Sequence, residues 1–206
     1  METLKLFFTA ALISLFAAVT TAQNQVSRET SFYKSYEYEK SEDYASAIKE
    51  VSAIYKPADY TANVRLGWLY YLSKQYTSSI KYYQKAISLK PYAIEAKFGL
   101  IKPLSASENW EKVKATYNEI LRIDPQNTVA NYWLGVIYYN RKQYGEAARL
   151  FEKVINLYPL DYDSTIMLGW TYLNLRKSAE AKVLFNEALV IRPKDSSALA
   201  GLKQIK

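Results

Sequence analysis

Histidine and cysteine are both missing from these 206 residues. Their absence removes the Ser-His-Asp and Cys-His catalytic sets, disulfide staples, and nearly all zinc sites. A lipid linked through an N-terminal cysteine is excluded for the same reason. Glycine is scarce, at six residues, and no Gly-rich loop of the kind that cradles phosphate is present. Ser-x-x-Lys occurs at Ser31–Lys34, Ser46–Lys49 and Ser78–Lys81, a spacing used by penicillin-binding proteins, but the companion Ser-Asp-Asn and Lys-Thr-Gly signatures are not there. The expectation is a protein that is not an enzyme and has no cofactor and no metal. No run of five or six like charges occurs either, so the net charge of +7 is spread over a mixed surface. A nucleic-acid partner is therefore not expected. Salt-sensitive attraction to anionic envelope polymers or lipid headgroups stays open beside a merely solvated face.

Nor is there an apolar run of the roughly 20 residues a membrane span needs. The longest, Leu6–Val19, follows Lys5 and ends near Thr20-Thr21-Ala22. Residues 1–22 therefore read as an export signal cleaved before Gln23, with an uncleaved anchor as the alternative. No stable transmembrane anchor is expected after cleavage. The expected location is exported, periplasmic or extracellular, and membrane-associated if the signal stays. About 184 residues remain, enough for one domain with a substantial core. The polar segment 23–30 is expected to be flexible.

What the chain does have is a period. Pro57, Pro91, Pro125, Pro159 and Pro193 fall 34 residues apart, and Gly135 and Gly169 keep the same interval. Such a period indicates an all-α solenoid, in which each unit buries its apolar face only against its neighbours. Leu134, Gly135 and Tyr138 share one face of a first helix. Ala147, Phe151 and Val154 share one face of a second. A glycine inside a helix costs roughly 1 kcal/mol against alanine, so Gly67, Gly135 and Gly169 mark places of close approach. The small residues facing them are Ala47, Ser79, Ala147 and Ala181.

This pattern of Leu-Gly-x-x-Tyr, then Tyr, Ala, an aromatic, Ala and Pro resembles the tetratricopeptide repeat (TPR). The usual tryptophan position, four residues before the glycine, holds Asn63, Asn131 and Thr165 instead. The resemblance implies a right-handed TPR-like α-solenoid of antiparallel helix pairs over 31–206. It would contain about five repeats (about 28–59, 60–93, 94–127, 128–161 and 162–195) and a C-terminal capping helix at 196–206. Repeat 1 reads as a cap, and Leu199, Leu202 and Ile205 as the apolar stripe of the last helix. Repeat 3 looks irregular: Gly99 comes early, Trp110 late, and Pro103 falls inside the first helix. That helix is expected to end or kink near Lys102, with Ser105–Asn109 an enlarged loop. The irregularity reads either as a tolerated insertion or as a local opening of a binding surface.

In the family the first helix of each repeat lines a concave groove. Carried over with glycine at position eight, the groove residues are Phe32 and Tyr36 in repeat 1. Val64, Trp68, Tyr71 and Leu72 follow in repeat 2, with Ala96 and Leu100 as candidates in repeat 3. Repeat 4 contributes Val129, Tyr132, Val136, Tyr139 and Asn140. Repeat 5 contributes Asp163, Ile166, Trp170, Leu173 and Asn174. Lysine, asparagine and arginine are not combined there as in chaperone-binding members, so that partner class is set aside. The expected role is a protein-interaction scaffold of the bacterial cell envelope, gripping an apolar segment of another envelope protein with large aromatic anchors. The alternative is a carbohydrate-binding accessory whose rings stack on peptidoglycan or a surface polysaccharide; coplanar, evenly spaced rings would favour it. Individual rings are equally readable as packing between helices, and an exposed patch as a homo-oligomer interface.

Overall fold

The computed structural model describes residues 27–205, so the expected signal at 1–22 lies outside the described residues. Within them every regular element is a helix. The chain forms two compact units, divided between Ser107 and Glu108. The first holds α1 (residues 27–40), α2 (Tyr44–Ala53), α3 (Tyr60–Leu72), α4 (Tyr76–Leu89) and α5 (Ile94–Ala106). The second holds α6 (Trp110–Ile123), α7 (Thr128–Asn140), α8 (Tyr144–Leu157), α9 (Tyr162–Asn174), α10 (Ser178–Ile191) and α11 (Ser196–Gln204). Residues 27–30, part of the segment expected to be flexible, are helical. Arg28 anchors them through Nε, which donates to Asp59 at 3.1 Å, and its guanidinium lies 4.8 Å from the Phe32 ring centre.

Local chemistry starts the helices at a fixed interval. The prolines precede the caps Asp59, Asn127, Asp161 and Asp195 by two residues. Each cap carboxylate or amide oxygen accepts the backbone N–H three residues on, as at Asp59 with Ala62 (3.1 Å). Such a cap contributes about 1 kcal/mol. Asn63 and Asn131, in place of the family's tryptophan, reach back to the same loops. Asn63 Nδ2 donates to the Asp59 and Pro57 carbonyls at 2.7 and 3.3 Å, and its Oδ1 accepts from Tyr55 at 3.0 Å. Asn131 repeats the two donations, but Ile123 stands where Tyr55 would be, and Asn131 Oδ1 is buried without a partner among the described residues.

The turn inside each pair is built on a left-handed residue: Glu42, Lys74, Glu108, Lys142 and Arg176 have φ between 56° and 60°. Glu108 keeps this register, and that corrects the expectation for repeat 3. Helix α5 runs through Pro103 to Ala106, without the enlarged loop. A proline interior to a helix costs about 3 kcal/mol. Burial of Leu100, Ile101 and Leu104 outweighs it, at about 1.5–3 kcal/mol for each large side chain.

Gly99 is therefore not the counterpart of Gly67; Ile101 is. Gly99 serves the aromatic of the preceding helix instead. A Cβ at Gly67 would stand 2.9 Å from the Tyr83 ring, and one at Gly99 would stand 2.2 Å from its opposite edge. The ring is thus clasped between α3 and α5. In the second unit Phe185 is clasped in the same way by Gly169 and Gly201, at 2.9 and 2.3 Å. Ser79 Oγ donates to the Gly67 carbonyl at 2.7 Å, so in this repeat the small residue faces the glycine. In the last helix the buried residues are Ala198 and Gly201, while Leu199 is half-exposed and Leu202 and Ile205 lean on the core. The inward stripe is shifted by one residue from the expected one.

Candidate functional site

Helix α3 presents Thr61, Val64 and Trp68 toward α1, which answers with Phe32, Tyr36, Glu39 and Lys40. Together with Arg65 they enclose a cleft of about 560 Å³. Four residues expected in the groove, Phe32, Tyr36, Val64 and Trp68, are thus brought together. Tyr71 lies just beyond, its ring 5.6 Å from that of Trp68 and tilted by 35°. Lys102 of α5 also sits over Trp68, with Nζ 5.6 Å from its ring centre.

Polar chemistry at the centre of the cleft was not expected from the sequence. Arg65, the one charged residue of α3, has a side chain only 5% exposed. Its Nε donates to Ser35 Oγ at 2.8 Å, and its Nη1 makes a short ion pair with Glu39 Oε2. The second carboxylate oxygen of Glu39 accepts Trp68 Nε1 at 2.7 Å. The guanidinium carbon lies 3.9 Å from the Tyr36 ring centre, a cation–π contact. Nη2 has no hydrogen-bond partner among the described residues. The site has Phe32, Tyr36, Val64 and Trp68 as apolar lining, with the Arg65 cation among them. A lone arginine in an otherwise uncharged helix was the signal available; its partner, 26 residues upstream in a degenerate repeat, was not.

Two candidates move out of the site. Ala96 and Leu100 are core residues, because Gly99 is not at the groove register. Glu95, Phe98 and Lys102 hold the corresponding positions of α5, and Glu95 accepts a hydrogen bond from Tyr60 at 2.7 Å. Tyr60 is raised by burial and then by this carboxylate.

In the second unit the expected residues act more as packing. Ile166 is 7% exposed, inside a core with Ala181, Phe185 and Ala188, and is corrected to a structural residue. Trp170 packs edge-on against Phe185 at 5.1 Å, and its Nε1 donates to Ser197 at 2.9 Å. Tyr132 leans on Phe151 at 5.9 Å, and Val136 joins the same cluster. Tyr139 meets Tyr144 at 5.4 Å. Asn174 bridges the Tyr139 hydroxyl (3.3 Å) and the Trp170 carbonyl (2.8 Å), tying α7 to α9. Burial raises both Tyr132 and Tyr139 above the usual phenol range. Asn140 and Asn174 remain exposed. Trp133, which the groove register passed over, is also half-exposed. Among the described residues no helix is long and apolar enough to cross a membrane.

Comparison with known proteins points one way. Two profiles described as "Tetratricopeptide repeat" match, one over residues 60–93 and 129–161 and the other over 150–183. The BBSome complex member BBS4 of Bos taurus is 29% identical over 104 residues, which are 49% of this chain and 20% of that protein. The chain thus spans about a fifth of the length of this curated relative. Among solved structures, a tetratricopeptide repeat protein from Parabacteroides merdae superposes with a TM-score of 0.73 at 20% identity, covering 85% of this chain and 70% of that one. MamA superposes at 0.70 with 19% identity, over 82% of this chain and 93% of its own. YrrB, described as a TPR protein with an unusual peptide-binding site, gives 0.68 at 18% identity over 84% and 90%.

Proposed function

The chain belongs to the tetratricopeptide-repeat family, and from that premise we propose that it is a non-enzymatic scaffold holding a peptide segment of a partner between α1 and α3. The observation that carries this reading is the cleft itself. Phe32, Tyr36, Val64 and Trp68 converge on one apolar space of about 560 Å³ that has a fixed polar centre, the usual make-up of a recognition site. YrrB, of the same fold, is described as binding peptide. The geometry of the rings favours peptide over sugar: Trp68 and Tyr71 are tilted by 35°, and Trp170 stands edge-on to Phe185 at 69°. A stacking platform for a polysaccharide would need coplanar faces.

The bacterial envelope as the place of action rests on the export-signal reading of residues 1–22. Recovery of the mature chain beginning at Gln23 would support it; a chain retained in the cell with Met1 intact would refute it.

The binding reading is tested by selecting peptides from a random display library on the purified chain. Circular dichroism first establishes that Trp68→Ala keeps wild-type helicity. Truncating a central aromatic anchor costs at least about 2 kcal/mol, roughly 30-fold in affinity. Apolar peptides bound by wild type and lost by Trp68→Ala are the expected result. Equal binding by both proteins would refute the cleft as the site.

A further inference from the structure

The Arg65 guanidinium is held by three partners and, among the described residues, has one arm buried without one. Ser35 takes Nε, Glu39 takes Nη1, and the guanidinium carbon stands over the Tyr36 ring, 3.9 Å from its centre. Nη2 is buried with no acceptor among the described residues. Arginine satisfies its fork most strongly with a carboxylate. Here Glu39 takes only one arm, because its other oxygen is committed to Trp68 at 2.7 Å. A buried donor left unmade is costly, and this one belongs to a residue in the wall of a cleft.

The charges around it have one sign in excess. Of the charged residues lining the cleft, Lys40 and Arg65 are basic and Glu39 is acidic; Glu39 pairs with Arg65, and Glu37 pairs with Lys40 at 2.6 Å, so these four balance. Lys102 adds a further cation at the Trp68 rim. A ligand anion therefore gains from the field, whereas a neutral carbonyl gains little. The position of the arginine narrows the choice again. Arg28 meets Asp59, Arg65 meets Ser35, and Trp68 meets Glu39, so α1 and α3 run side by side in the same direction. Arg65 lies between Phe32, Thr61 and Val64 toward one end of the cleft, and Glu39 and Trp68 toward the other. A carboxylate over Arg65 is thus flanked by lining on both sides, which suits a side chain within a peptide.

We propose that the α1–α3 cleft selects an internal Asp or Glu side chain flanked by apolar residues, its carboxylate accepting the free Nη2 arm of Arg65. Tyr36, half-exposed, turns away from the guanidinium to admit it. The flanking apolar side chains occupy the walls formed by Phe32, Val64 and Trp68. This specificity rests on the cleft being the peptide site, and the experiment separates the two ideas.

The probes are acetylated, amidated 11-residue peptides in three forms: a central Glu between Leu and Phe, the same peptide with Gln, and the Gln peptide with a free C-terminal carboxylate. Binding to the full chain is followed by fluorescence anisotropy, beside Trp68→Ala as the site control. The Glu peptide is expected to bind wild type at least tenfold more tightly than the Gln peptide, with the advantage shrinking as salt rises. Arg65→Met alone would strand Glu39, so the informative variant is Arg65→Met/Glu39→Gln, whose helicity is verified first. In it the preference for Glu over Gln falls below threefold. A preference kept by this variant overturns the proposal. Equal binding of Glu and Gln peptides, lost in Trp68→Ala, overturns it while leaving the cleft as a peptide site. Binding of the Glu peptide unaffected by Trp68→Ala overturns both. Binding only of the peptide with the free terminus overturns it in favour of a chain-end site, and failure of all three to bind overturns it as stated.

Discussion

Replacing Gly99 by alanine should destabilise the first unit although it improves the intrinsic helix propensity of α5. The new Cβ would stand 2.2 Å from Tyr83 Cε1, 2.5 Å from Cζ and 2.8 Å from Cδ1. Ordinary contact needs more than an ångström of retreat by the ring. The ring has nowhere to go: it is 2% exposed, and a Cβ at Gly67 on its other side would already be at 2.9 Å. The retreat required puts this at the upper end of the about 1–3 kcal/mol that overpacking costs, from which the gain of about 1 kcal/mol for removing a helical glycine is subtracted. The net expectation is a loss of about 1–2 kcal/mol, read by urea unfolding followed by circular dichroism. Gly145→Ala is the control of opposite sign. Nothing lies within 4 Å of its Cβ, so it should gain about 0.5–1 kcal/mol. In a Tyr83→Leu background the cost of Gly99→Ala should largely vanish, giving a coupling of about 1–2 kcal/mol. A Gly99→Ala protein as stable as wild type, or one equally destabilised in both backgrounds, would refute the clasp.

Asn63→Ala should cost about 1–3 kcal/mol, because it strands the Pro57 carbonyl and the Tyr55 hydroxyl, while the Asp59 carbonyl keeps the backbone N–H of residue 63 at 3.1 Å. Thr165→Val, which gives up one bond to the Asp161 carbonyl at 2.8 Å, should cost about 1 kcal/mol; chemical denaturation reads both, and a reversed order would contradict the tethering role. Burial pushes the Asp59 carboxyl upward, but hydrogen bonds from Arg28 and the Ala62 N–H win and hold it below the ordinary range. Its stabilisation is therefore present above the unfolded value of about 3.9 and lost as pH falls through the lower folded one. Asp59→Asn should flatten this acid limb, and an unchanged limb would show the pair to be idle. At the other extreme, burial pushes Tyr117 up to about 12, and burial then Glu152 push Tyr172 up to about 12. Burial raises Tyr83 as well. The native chain holds these protons longer than the unfolded one, so stability is full below about pH 10 and falls as pH rises toward the folded values. Tyr83→Phe keeps the clasped ring, as Phe151 and Phe185 do at the equivalent places, and should soften the alkaline loss. An unaltered alkaline profile would count against burial as its cause.

Much of this architecture is legible along the chain because it is made by local rules. The 34-residue proline interval locates the loops, and the Asp or Asn two residues later caps the next helix through its own backbone. Repeat 3 is hard to place along the chain because its glycine is not equivalent to those of its neighbours. Gly67 and Gly169 accept the aromatic of their own repeat, whereas Gly99 and Gly201 accept that of the preceding one, two positions earlier in the helix. Trp110 lies 34 residues from both Tyr76 and Tyr144, so the register was intact in the sequence all along. The site was half legible. Its rings follow from the repeat register, but the Arg65–Glu39–Trp68 network joins two helices whose pairing leaves no short-range trace.

The sequence by itself determined the helices, their period and their caps, since backbone bonding and side chains within a few residues settle those. Only the tertiary structure decided which side chains at one repeat position are available to a partner. Val64 and Ile166 occupy the same place in their helices and are nearly the same chemically. Val64 borders the cleft facing α1, while Ile166 is 7% exposed in a core shared with Phe185 and Ala198. Exposure belongs to the neighbours as much as to the residue, and the neighbours are chosen by packing.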